Sequence, residues 1–360
     1  MTTTDPVDWV LAERVAVRVA KRNASSIPTG PDPTPDFERL GVVAEALVAA
    51  HTGLVSAHGP ARIEVVDRAG WIAVNIRAFR RLLAPLLEHY AESIQADGAP
   101  GVGRSTVLAV GRRVTGLELG LLLGWMSGRV LGQYDLLVAD DDDAAQDIVY
   151  VVGPNLISLE RRFGFPTEEF RLWLALHELT HRAQFTGVPW MRPYFLEQVG
   201  TALSLANPDP GALYRRLRDA LTDREDTRLR LREGGLPAVL ASPEQLAALG
   251  RVGGLMALLE GHGDVTMNRA GAGLVPSAER FSRVLQARRR QTNLVQRMTG
   301  IAAKLDQYAA GEHFLAAIEE AAGPRAVDRC WTGPASLPTM EEIRAPQRWI
   351  DRLLTPTATT

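Results

Sequence analysis

FRLWLALHELTHRAQF, residues 170–185, is the stretch on which the reading of this chain turns. Phe170, Trp173, Leu174 and His177 recur at helical spacing, so a helix is expected over about 167–186 with that face buried. Inside it, His177-Glu178-Leu179-Thr180-His181 spells HExxH. Positions i and i+4 share a helix face, so both imidazoles can point at one ion, while Glu178 sits beside the first and can hold and deprotonate a water. The competing reading is a pair of core histidines. It is the weaker one, because two neutral imidazoles beside a buried carboxylate leave several polar groups needing partners, and a cation satisfies them together.

A site of this kind needs a third protein ligand. The arrangement HExxHxxGxxH is excluded, because His181 is followed by RAQFTGVPW, with neither the glycine nor the third histidine in place. The other common solution puts a glutamate on a second helix, with an aspartate four residues later bonding the outer nitrogen of the first histidine. Glu260, in LMALLEGHGDVTMNRA at 255–270, is the only glutamate here with an aspartate, Asp264, at i+4. Both would project from one face of an apolar segment, where unpaired charge is costly. Glu197, sixteen residues past His181, competes for the third place but lacks such a partner. His262, two positions from Glu260, should point elsewhere if Glu260 ligates. It could contact substrate or a developing oxyanion, replace Glu260, or be a plain polar residue.

Composition bounds the rest. The chain has 360 residues, 46% of them hydrophobic, enough for one large core or two modest ones. Forty basic against forty-two acidic residues leave no electrostatic footprint for nucleic acid or an anionic membrane. The single cysteine, Cys330, can form no internal disulfide, and MTTTDPVDW is unlike a secretory signal, so a cytoplasmic protein is expected. Cys330 itself reads as a small core residue. The apolar run 107–138 is long enough to span a bilayer, but Arg112, Arg113, Glu118 and Arg129 fall inside it, so a buried helix is expected there instead. Gly116, Gly120, Gly124, Gly128 and Gly132 would line one side of that helix and admit a close neighbour, in a core or at an interface.

Helical period also predicts helices at 7–22, 38–57, 71–96 and 105–132, with short strands at 62–66 and 147–152. Gly153-Pro154 is expected to stop the second strand, which would serve as a substrate-aligning edge. The acidic run DDDD at 140–143 reads as a solvated turn, since it lacks the glycine and spacing of a calcium loop. Ser242-Pro243-Glu244-Gln245 should start a helix running toward Asn268. The segment from Ser277 to about Gly323 is helical by period, and LPTMEEIRAPQRWIDRLL suggests a loop and one closing helix. The fold class expected is mainly α with a small β element. We read 1–360 as a single unit with a helical N-terminal part (1–140), a metal-site core (141–275) and a helical C-terminal part (276–360).

HELTHRAQF and LLEGHGDVTMNRAG, together with VDRAGWIAVN, GQYDLLV, YVVGPNLISLERRFG, KLDQYAAGEHF and DRCWTGPASLPTMEEI, resemble an actinobacterial family of zincin-like metallopeptidases along the whole chain. Some members are associated with deazaflavin-coenzyme biosynthesis, although no phosphate cradle or flavin pattern stands in these residues. The resemblance implies a mostly α zincin architecture, zinc on His177 and His181, a catalytic Glu178, and Glu260 as third ligand. Expected from it is a zinc-dependent peptide or amide hydrolase. The alternatives are a zinc-binding scaffold without turnover and a helical interaction protein. His262, Tyr194 and Arg192 are the candidate donors to an oxyanion. Substrate and oligomeric state are not legible.

Overall fold

The computed structural model describes residues 7–22, 30–96, 102–136, 147–204, 243–290 and 302–354. The acidic run 140–143 and the capping Ser242 lie outside them. The fold is mainly helical with one three-stranded sheet. By contacts the chain divides into two compact units, one of Met1–Leu47 with Ser56–Arg182, the other of Val48–Val55 with Ala183–Thr360.

The first unit contains α1 (Trp9–Arg22), most of α2 (Thr34–Thr52), β1 (Arg62–Val66), α3 (Arg68–Ala96), α4 (Val102–Ser127), β2 (Gly132–Tyr134), β3 (Ile148–Val152), α5 (Gly153–Phe163) and most of α6 (Thr167–Thr186). The strand order is β1-β3-β2, with β1 parallel and β2 antiparallel to β3. All five residues of β3 are buried, as its unbroken β-branched run suits a central strand. This corrects the expectation that 147–152 forms an edge: the edge beside it is β2, three residues that period alone does not reveal. Gly153-Pro154 does end the strand, but by opening α5 rather than a turn. A proline in the first helical turn loses no intrahelical bond, and Gly164 closes the helix in the left-handed conformation at φ 57°.

Helix α1 packs on the glycine face of α4. A Cβ at Gly116, Gly120 or Gly124 would come within 2.6, 2.5 and 2.7 Å of the backbone oxygens of Asp8, Ala12 and Ala16. Facing them, Ala12 and Ala16 are fully buried, so small residues on both helices let the backbones meet. Gly128 and Gly132 have left that face, the first in the turn after α4 and the second in β2. Among the described residues no helix is long and apolar enough to cross a membrane. Nor is α4 buried all round, as was expected: Val110, Val114, Leu117 and Leu121 are exposed on its other side.

The second unit holds α7 (Met191–Ser204), α8 (Pro243–Ala270), α9 (Ala278–Arg290), α10 (Ala302–Ala322), α11 (Met340–Arg344) and α12 (Pro346–Leu353), with two 3-10 turns, Ala326–Trp331 and Pro334–Ser336. Its core gathers Leu255, Leu258 and Leu259 of α8 with Phe314 and Ile318 of α10 and Trp349 of α12. Helices α8 and α10 cross closely at Gly261 and Gly311. The single closing helix expected is two, because Pro346 has no N–H to continue α11 and starts α12 instead.

Candidate metal centre

Helix α6 is held by what surrounds the motif. Its first turn carries Glu168 and Glu169, which complement the positive end of the helix dipole. Phe170 packs between Phe165, whose ring is tilted to it, and Trp173, on which it stacks, with ring centroids 4.8 and 6.0 Å away. Two buried arginines tie the helix down. Arg171 pairs with Glu160 (2.8 Å) and Asp36 (2.5 Å). Arg182 donates to Asp147 of the β3 approach (2.8 Å), to Glu45 of α2 (2.5 Å) and to the Gly59 carbonyl (2.7 Å). Each charge is thus matched by several acceptors, the condition under which a buried ion is tolerated.

Between these anchors His177 and His181 project from one face. Their Nε2 atoms are 3.1 Å apart and the rings stand edge to face, centroids 4.6 Å apart. Glu260 of α8 joins them: the three residues each offer one ligand atom, and these atoms all lie within 4.8 Å of one another. The donor set fits a zinc ion. Two imidazole nitrogens at ~2.0–2.1 Å from a tetrahedral centre stand about 3.3 Å apart, close to the separation found. The negative carboxylate suits the same charge. Glu197 of α7 is exposed and does not belong to this group.

Glu178 is 6% exposed and lies against the sheet edge. A Cβ on Gly132 would come 2.5 Å from its Oε1 and 2.7 Å from its Cδ. The place of Gly132 is set by the turn before it: the Asn155 side chain donates to the carbonyls of Ser127 (2.8 Å) and Val130 (2.7 Å) and accepts from Arg68 Nε (2.8 Å). These bonds satisfy carbonyls that the end of α4 leaves over. Strand β2 is then paired to β3 by Val152 N–H to Leu131 O (2.8 Å) and Asp135 N–H to Ile148 O (3.0 Å). Alternation of an antiparallel ladder turns the Gly132 N–H and carbonyl away from β3, toward the sheet edge. Sequence reading placed Gly132 only in a row of glycines. Its contact with Glu178 joins positions 46 residues apart and has no local signal.

The last turn of α6 meets α8 through Gln184, whose Nε2 donates to Leu259 O (3.0 Å) and to His262 Nδ1 (2.9 Å). The carbonyl can only accept, so the nitrogen of the amide faces both partners, and His262 Nδ1 must be the unprotonated one. His262 is buried, edge-on to Trp331 at 5.1 Å, and outside the metal group. Gln184 was not singled out from sequence. Asp264 lies one turn beyond Glu260 on α8, half-buried, and the bond expected from it to the outer nitrogen of His177 is not formed. Tyr194 packs edge-to-face on Trp190 at 6.1 Å, and burial pushes its phenol pKa up. Arg192 is half-buried on the same helix. Cys330 is fully buried with its thiol pKa pushed far up by that burial, as a core residue without chemistry should be.

No curated protein matches the chain. A crystal structure of a candidate hydrolase with a novel fold from Chloroflexus aurantiacus is similar, with a TM-score of 0.70 and 31% identity over 98% of this chain and 100% of that one. Residues 7–350 match a family described as zincin-like metallopeptidases. That match takes in the HExxH helix, the sheet edge beside Glu178 and the helix bearing Glu260, and the chain therefore belongs to the zincin-like metallopeptidase family.

Proposed function

We propose that the protein is a zinc-dependent hydrolase of peptide or other amide bonds, in which His177, His181 and Glu260 hold the metal and Glu178 is the general base. The observation that carries this is the convergence of two imidazoles and a carboxylate from distant helices, next to a buried glutamate. When bound, zinc supplies Lewis acidity: it lowers the pKa of a water and polarises the scissile carbonyl. Glu178 takes the proton of the attacking water and passes it to the leaving amine. Its burial against Gly132 keeps the carboxylate in one place and strengthens its interactions by excluding bulk water. His262, whose proton sits on Nε2 when neutral, is the donor best prepared to meet substrate or the developing oxyanion. The outward N–H and carbonyl of Gly132 suit an extended substrate backbone. The deazaflavin association is no part of this proposal, because no flavin or phosphate pattern supports it.

Metal content by mass spectrometry tests the ligands: one zinc per chain is expected, lost or sharply weakened in His177→Ala and Glu260→Ala. Turnover tests the base. Glu178→Gln should keep the zinc and lose about 10²–10⁴-fold in kcat on a peptide or amide substrate. Zinc bound with no turnover by wild type across a substrate screen would favour a scaffold that retains the metal only.

A further inference from the structure

Helix α4 (Val102–Ser127) covers its glycine face with α1 and presents a second face that no described residue covers. Along it Val110, Val114, Leu117 and Leu121 are 55, 47, 43 and 49% exposed. Single exposed aliphatic side chains are ordinary on a protein surface. These four are not single. They follow one another in steps of four, three and four residues, the alternation of a coiled-coil seam, with Val114 and Leu121 at a and Val110 and Leu117 at d. At ~100° per residue they form one stripe about 60° wide and about 16 Å long, roughly a quarter turn from the glycines. A neighbouring helix can therefore lie on the stripe without displacing α1.

The flanks identify the partner. In this register Arg113 is at g and Glu118 at e, and both are exposed. In a parallel two-stranded coiled coil a g residue faces the partner's e residue five positions further on, and opposite charges there select partner and orientation. Arg113 and Glu118 are five positions apart and opposite in sign. Two copies of α4 side by side would thus make that pair twice, once on each side of the seam.

We propose that α4 is a homodimerisation helix, pairing in parallel with α4 of a second copy of this chain through Val110, Val114, Leu117 and Leu121, flanked by Arg113–Glu118 pairs. The seam is short, so the dimer is reversible and weak rather than permanent. It does not depend on the metal centre and survives if the hydrolase reading fails.

Sedimentation equilibrium of the full chain tests it. The average mass should climb from monomer toward twice that value through the micromolar range. Leu117→Lys, which sets two cations face to face at d, should hold the protein monomeric, while Thr115→Lys, exposed at b, should change nothing. Arg113→Glu should weaken association about tenfold by juxtaposing like charges, and adding Glu118→Arg should restore it. Orientation is read separately from Val110→Cys and Leu121→Cys. In a parallel pair each residue of the seam faces its own copy, so both variants oxidise to covalent dimers, with Cys330 buried and silent. A wild-type monomer at every concentration overturns the proposal. So does a dimer that ignores Leu117→Lys, a charge swap that fails to restore, or cysteines that do not cross-link.

Discussion

A methyl group at position 132 would occupy the space of the Glu178 carboxylate, 2.5 Å from Oε1, although alanine is otherwise acceptable in a strand. Glycine is required there for close approach rather than for backbone freedom. We expect Gly132→Ala to leave zinc stoichiometry and fold unchanged while lowering kcat about 10²-fold, as a displaced base should. An unchanged kcat would mean that the carboxylate reaches its task from another position. At this scale the sequence was most legible where chemistry is local. The HExxH pair lies on one helix face whatever the rest of the chain does. Glu260 was reached through its i+4 aspartate and apolar context, whereas Gly132 and Gln184 act through contacts made across long stretches of chain and leave no trace in spacing.

Among the elements, long periodic segments stand where the period put them: the motif helix occupies Thr167–Thr186 and the first strand Arg62–Val66, both as predicted. What period missed were short or punctuated elements, where proline and glycine are ambiguous. Pro154 and Pro346 begin helices here, because a proline in the first turn gives up a bond no helix makes. The last two helices also carry a pH test. Arg352 of α12 grips Glu342 of α11 at 2.7 and 3.0 Å. Burial alone would raise the Glu342 pKa, but the hydrogen bonds from Arg352 and the Thr339 amide outweigh it and hold the carboxyl below its ordinary value. A depressed folded pKa contributes stability that is present above the unfolded value and lost as pH falls through the folded one. The urea midpoint of wild type should accordingly exceed that of Glu342→Gln at neutral pH, and the gap should close on acidification through the ordinary carboxylate range. A gap independent of pH would assign the difference to packing.

For the molecule as a whole, zinc held as proposed would join His181 and Glu260, 79 positions apart, and so couple metal binding to folding. Removing zinc with a chelator should lower the unfolding free energy, by about 4 kcal/mol where free zinc had stood a thousandfold above its dissociation constant. Restoring zinc should recover it in wild type and not in Glu260→Ala. A midpoint indifferent to chelator would show that the native state binds no zinc in preference to the unfolded chain, and would overturn the proposed ligand set. By itself the sequence determined the helical class, the two-histidine face and the candidates for a third ligand, since period and i, i+4 spacing are properties of a single helix. Tertiary structure brought Glu260 rather than Glu197 to the two histidines, made β2 rather than β3 the edge beside Glu178, and left one stripe of α4 open while covering its glycines. Those outcomes depend on which surfaces meet after the chain has turned back on itself, and a contact between distant residues is written in no local pattern.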